Sequence, residues 1–209
     1  MCLVNTLQTS TIIDQLSLSA KLMKMSNKAD KEEKKNLEAE LWCAYHLLQI
    51  PSISKIEFSE TPDVIFYLSN GEICGIEVKR FIEKEEDRKD LEQMKQKFAR
   101  YGVPRNPKNP WHKYVIGKIL KKSKATYSTK ETFLYIKSDS SLQIELAEIR
   151  AAIDEIIKKK LVINFCFFMI ETAWKQNAEV NILYRDENSI SPLLINDIKN
   201  NDYFSIEKI

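Results

Sequence analysis

The chain has 209 residues, 44% of them hydrophobic and 30% charged, a composition that suits one soluble globular domain and excludes a disordered chain. Lysine and arginine number 32 against 30 aspartates and glutamates, and a formal charge of +2 argues against a surface coated all over in positive charge for nucleic acid. Four glycines, none spaced as a phosphate loop or dinucleotide turn, exclude the glycine-dependent nucleotide folds, and four scattered cysteines with two histidines disfavour a structural zinc site.

Residues 1–28 are rich in Ser, Thr and Met with weak periodicity and read as an arm or accessory helix ahead of one domain over 29–209. Lys31 to Gln49 carries Leu37, Leu41, Ala44 and Leu48 at helical spacing, and Pro51 closes it. Three strands are predicted next, Ile53 to Ser59, Asp63 to Ser69 and Glu72 to Lys79, the last two flanking the hairpin signal Asn70-Gly71. A charged helix over 81–101 and an irregular loop from Tyr101 to Pro110 follow. Trp111, Val115, Ile116, Ile119 and Leu120 then form the inner face of another helix, ending near Ser123. Thr132 to Ile136 is a short strand, Leu142 to Lys160 an amphipathic helix, and Leu161 to Ile170 and Val180 to Tyr184 further strands. The order is αβββαβ over about 31–138 with an α-β-β extension over about 139–209, an α/β chain with a mixed sheet flanked by helices. The longest apolar stretch, Val162 to Ile170, is about half the roughly 20 residues that span a bilayer. With no leader-like apolar start and thiols that read as reduced, a cytoplasmic protein with no membrane partner is expected.

The residues with the sharpest chemistry are Pro62-Asp63 and, within the same hairpin, Glu77-Val78-Lys79. Strand residues two apart share a face, so Glu77 and Lys79 point one way while Cys74, Ile76 and Val78 point the other. Two carboxylates held close repel unless a cation lies between them, and hard oxygen donors select Mg²⁺, with Mn²⁺ as a substitute. The turn decides whether Asp63 joins them. A strict two-residue turn at Asn70-Gly71 sets Asp63 opposite Val78 and facing away. A three-residue loop over Asn70, Gly71 and Glu72, bulged at Gly71, sets it opposite Lys79 on the shared face.

These elements resemble the PD-(D/E)xK nuclease superfamily, the restriction-endonuclease-like fold, over residues 31 to 138. The resemblance implies that Asp63, Glu77 and the Val78 backbone carbonyl hold a divalent metal and that Lys79 supports the attacking water. It also implies a further Glu from the first helix, for which Glu40 is preferred and Glu38 is the alternative. His46 is expected to face solvent, His112 to be a loop or cap residue rather than a base, and Trp42, Tyr45 and Trp174 to lie in core or rim packing.

The near-neutral total hides a local excess: residues 93–130 hold eleven Lys or Arg and no Asp or Glu. Arg105, Lys113, Lys118, Lys121, Lys122 and Lys124, with Tyr114 among the interleaved aromatics, are the candidate contacts to phosphates and bases. The expectation is a Mg²⁺-dependent nuclease acting on DNA, with no feature that rejects RNA. The rival is an inactive nucleic-acid-binding or subunit-interaction module of the same fold, including a homodimer.

Overall fold

The computed structural model describes residues 11–27, 31–81, 110–129, 131–138, 146–161, 165, 167–174, 177–185 and 190–209. Among these residues the chain is an α/β protein with five helices and an eight-stranded mixed sheet whose strands lie side by side in chain order. The elements are β1 (Ile12–Ile13), α1 (Gln15–Asn27), α2 (Lys31–Leu47), β2 (Ile53–Phe58), β3 (Val64–Leu68), β4 (Ile73–Phe81) and α3 (Pro110–Ser123). They continue with β5 (Glu131–Ser138), α4 (Leu146–Lys158), β6 (Phe167–Trp174), β7 (Asn177–Tyr184), α5 (Pro192–Lys199) and β8 (Phe204–Lys208). Strands β2, β3 and β4 form an antiparallel meander, β4, β5 and β6 run parallel, β7 returns antiparallel, and β1 and β8 close the two edges in parallel with their neighbours.

Helices cover both faces of the sheet. Ala39, Cys43, Ala44 and Leu47 of α2 and Leu194, Ile195 and Ile198 of α5 pack on the face presented by Ile56, Phe66, Ile76, Tyr135, Met169 and Ile182. Val115 and Ile119 of α3 and Ile149, Ala152, Ile153 and Ile156 of α4 pack on the other, against Leu134, Ile136, Phe168 and Ile170. Burial on both faces explains why β5 is apolar without alternation from Phe133 to Ile136, all four at most 1% exposed. In α4 the stripe falls at i, i+3, i+4 and i+7, one side of a 3.6-residue helix.

The predicted order of elements through β5 is present, with the segment 82–109, which includes the predicted charged helix, its loop and Arg105, outside the described residues. The C-terminal part is larger than the predicted α-β-β. It adds α5, whose signal was Pro192 at the first helical turn ahead of an apolar stripe, and β8. Of the strand predicted over Leu161 to Ile170, residues 167–170 lie in β6, which runs on to Trp174, Leu161 is exposed and outside any strand, and residues 162–164 and 166 lie outside the described residues. The N-terminal arm contributes α1 and edge strand β1. No helix among the described residues is long and apolar enough to cross a membrane.

This additional C-terminal unit fixes α2 in place. Asp197 Oδ2 accepts the Ser52 N–H at 2.6 Å, Asn201 Nδ2 donates to the Gln49 carbonyl at 2.5 Å, and the Tyr203 hydroxyl lies 2.7 Å from His46 Nδ1. His46 is thus corrected from a surface residue to one 1% exposed, since the C-terminal segment covers the side of α2 that helical spacing alone leaves open. Its Nε2 lies 2.9 Å from Glu171 Oε2, a buried carboxylate that also accepts hydrogen bonds from the Tyr135 hydroxyl and the Lys137 ammonium. Trp42 and Tyr45 are half-exposed, stacked edge to face, with Lys137 Nζ 4.7 Å from the centre of the Trp42 ring.

Candidate active site

The hairpin register settles where Asp63 lies. Val64 pairs with Ile76 and Tyr67 with Ile73, so the ladder carried on by one residue sets Asp63 across from Glu77. The connection is a three-residue loop, Ser69-Asn70-Gly71, closed by bonds from Gly71 N to Leu68 O and from Leu68 N to Glu72 O, both 2.9 Å. Gly71 has φ +88°, a conformation that side chains with Cβ rarely adopt, and Asn70 Oδ1 accepts the Glu72 N–H at 3.1 Å. The loop therefore has the expected length but starts one residue earlier, and Asp63 faces Glu77 rather than Lys79. The parity of the strand is the same in both registers, so Asp63, Glu77 and Lys79 share a face.

Beyond Ile76, β4 runs on to Phe81 alongside β5 alone, because β3 starts only at Val64. The exposed backbone edge created there is partly met by Asp63, whose Oδ2 accepts the Val78 N–H at 2.7 Å. Gly75 holds the approach to Asp63 in place. A Cβ at Gly75 would stand 2.4 Å from both Pro62 Cγ and Thr129 Oγ1, so the Pro62-Asp63 turn can lie on β4 only because this residue has no side chain.

A cleft of about 230 Å³ opens at this end of β4, lined by Asn36, Glu40, Asp63, Val78, Lys79, Arg80 and Lys122. Glu77 lies beside it, joined through Lys122, whose Nζ is in ion-pair contact with Glu77 Oε1 and lies 4.0 Å from Asp63 Oδ2. The other Glu77 oxygen, Oε2, is buried with no hydrogen-bond partner among the described residues. Across the cleft, Glu40 Oε2 is in ion-pair contact with Lys21 Nζ, though not in hydrogen-bonding orientation, and Lys21 Nζ also reaches the Ser59 carbonyl at 3.4 Å.

Three carboxyl groups in one partly dry place raise one another's proton affinity. Burial pushes Glu40 up to about 7, with Lys21 pulling it down and the Asp63 charge adding to the rise. Burial also raises Asp63, opposed by Lys122 and the Val78 N–H. Burial and then the Asp63 charge raise Glu77, opposed by Lys122. The cleft is thus an acidic centre whose charge is offset by two lysines, Lys21 and Lys122.

The structure brings Asp63, Glu77, Val78, Lys79 and Glu40 together, while Glu38 lies on the exposed side of α2 in a shallow apolar depression with Leu41, Trp42 and Tyr45. Lys122, expected among the phosphate contacts, is turned onto the acids. Lys118 is half-buried, Lys121 and Lys124 are exposed on α3 and just after it, and the side chains of Lys113 and Tyr114, like all of Arg105, are outside the described residues. Among the described residues no group of three or more His, Cys, Asp or Glu side chains is arranged to hold a metal ion. Any metal would rest on the Asp63–Glu77 pair and backbone oxygen. The donors present fit such an ion: two adjacent carboxylates are hard oxygen ligands, and one of them has a buried oxygen without a hydrogen-bond partner among the described residues.

Sequence reasoning missed Lys21, which α1 delivers from a segment of weak amphipathicity, and Asn36 and Arg80 at the cleft wall. The place of Lys122 had a signal, its spacing seven residues after Val115 on the inward stripe of α3. No family model, curated protein or solved structure matches this chain.

Proposed function

We propose that the protein is a Mg²⁺-dependent nuclease of the PD-(D/E)xK type, with a restriction-endonuclease-like core from α2 to β5, that hydrolyses phosphodiester bonds in DNA. The observation that carries the reading is the Asp63 carboxylate across the hairpin from Glu77 in a cleft shared with Lys79. The order of α2, β2, β3, β4, α3 and β5, an antiparallel meander followed by a parallel crossover, supports it.

Asp63, Glu77 and the Val78 carbonyl would hold Mg²⁺, or Mn²⁺ in its place; when bound, the ion supplies Lewis-acid charge to the phosphoryl oxygens. Lys79, on the same strand face as Glu77, orients the attacking water and offsets charge that develops on the phosphate. Asp63 does a second job by holding the Val78 N–H, which fixes the backbone of the residue whose carbonyl would join the metal ligands. Glu40, pushed up to about 7, holds a proton near neutrality at the cleft wall, where a leaving oxygen would need one. Lys118, Lys121 and Lys124 extend positive charge along and just beyond α3 for the phosphate backbone.

One observation favours the rival reading of an inactive binding or interaction module: Lys122 occupies the space between the two acids. The two readings separate in a panel of linear, circular, single-stranded, branched and RNA substrates, each with Mg²⁺ and with EDTA. The nuclease reading expects metal-dependent cleavage that falls at least about a hundredfold in Asp63→Ala and in Lys79→Ala. Cleavage surviving both substitutions refutes the assigned roles, and intact binding with no cleavage of any substrate supports the module.

A further inference from the structure

Lys122 stands in the last turn of α3, on the stripe of Val115 and Ile119, both fully buried. That stripe points at the face of β4 and β5 that carries Glu77, which pairs with the buried Leu134. The ammonium is therefore aimed at the acids by helix packing. The helix end is also anchored, because the Tyr127 hydroxyl donates to the Lys122 carbonyl at 2.6 Å. Its Nζ touches Glu77 Oε1 and stands 4.0 Å from Asp63 Oδ2, about where a cation shared by the two carboxylates must lie.

Lys122 nevertheless keeps a side chain 30% exposed, on a flexible four-carbon stem that opens into the cleft. Two like charges in a partly buried place need a cation at all times, or one of them takes a proton. A monovalent ammonium and a divalent ion cannot both occupy the same space at contact distance, so the arrival of one requires the departure of the other.

We propose that Lys122 is a built-in substitute for the divalent cation: its ammonium neutralises Asp63 and Glu77 until a metal ion displaces it, and the displaced Lys122 then meets a phosphate of the bound strand. The inference rests on the nuclease reading only in assuming that Asp63 and Glu77 bind metal. It gives Lys122 two successive partners of opposite kind, a carboxylate pair and a phosphodiester. It also makes the metal compete with an internal charge, so the centre loads at a higher ion concentration than the bare acids would require.

The test uses the full chain without nucleic acid. Mn²⁺ binding is measured by calorimetry and by electron paramagnetic resonance for wild type, Lys122→Met, Lys122→Gln and Glu77→Gln, with circular dichroism to verify folding. Both Lys122 variants are expected to bind Mn²⁺ about tenfold more tightly, the equivalent of about 1.4 kcal/mol for a part-exposed ion pair removed from competition. Glu77→Gln is expected to abolish binding. Unchanged or weaker binding in the folded Lys122 variants, with Glu77→Gln still abolishing it, overturns the proposal and leaves the metal site standing. Absence of Mn²⁺ binding from wild type and Lys122 variants alike overturns the metal site and the proposal together. A second measurement needs no variant to bind: in ¹⁵N-lysine-labelled wild type, the Lys122 Nζ signal shifts on adding Mg²⁺ alone. A Lys122 signal that stays in place while Mg²⁺ saturates the protein overturns the proposal equally.

Discussion

Replacing Glu171 by Gln tests how the cleft-bearing helix is held. Glu171 lies on β6, 3% exposed, and takes hydrogen bonds from His46 on α2, Tyr135 and Lys137 on β5. Burial alone would raise its carboxyl, but the His46, Lys137 and Tyr135 hydrogen bonds outweigh this and bring it from the usual 4.5 down to about 2. Because the folded value is the lower one, the unfolded chain binds the proton more readily, and stability rises with pH across this interval. The contribution is fully present above 4.5 and is lost as pH falls toward 2. The fall from 4.5 to about 2 corresponds to about 3 kcal/mol, of which roughly three fifths is gone by pH 3. Glu171→Gln removes the charge but leaves Lys137 and His46 facing an amide. At pH 7 the expected loss is therefore about 3–5 kcal/mol, the range for breaking a buried pair. Urea unfolding of both proteins from pH 7 to pH 3 reads the difference directly, since other carboxylates titrate equally in each. The gap between wild type and variant should shrink by about 2 kcal/mol over that range. A gap that is constant with pH, or below about 1 kcal/mol at pH 7, refutes the reasoning.

Glu40 has the opposite sign. Its folded value near 7 exceeds the usual 4.5, so its contribution is present at low pH and is lost as pH rises through that interval. Metal-free Glu40→Gln is accordingly expected to be at least as stable as wild type at pH 8 while cleaving more slowly, and a variant clearly less stable at pH 8 contradicts this. Gly75→Ala places a Cβ 2.4 Å from the Pro62 ring and from Thr129 Oγ1, so the turn carrying Asp63 must move. The expected cost is about 1–3 kcal/mol in urea unfolding, together with weaker Mn²⁺ binding, and wild-type values in both measurements count against it. Replacing Lys118, Lys121 and Lys124 together by Ala should flatten the salt dependence of duplex binding by about 3 in logarithmic slope, and an unchanged slope removes α3 from the phosphate contacts.

Much of the candidate site was legible in the sequence because strand chemistry has a period of two. Pro62-Asp63, the Asn70-Gly71 turn and Glu77-Val78-Lys79 place the two acids and the lysine on one face for any three-residue loop, so their association did not depend on the exact register. What the local pattern left open was which residue stands opposite Asp63, and the Leu68–Glu72 closure decided for Glu77. Likewise Glu38 and Glu40 flank the apolar stripe of α2 almost evenly. Only the way that α2 lies across the meander, held by Asp197, Asn201 and Tyr203 from the far end of the chain, turns Glu40 into the cleft and Glu38 outward.

The remaining differences have the same cause. His46 reads as a surface residue because periodicity reports one packing partner, whereas α2 also meets the C-terminal segment, more than 150 residues away in sequence. Lys21 comes from an arm with almost no amphipathic signal, and its meaning appears only when Glu40 lies beside it. Lys122 belonged by sequence to a basic stretch without acids, where the natural partner of a lysine is external phosphate. The sequence determined the parts through their short-range periods and the charge each segment carries. The tertiary structure decided which charges meet, because ion pairing acts over a few ångströms between elements whose separation along the chain carries no information about their distance in space.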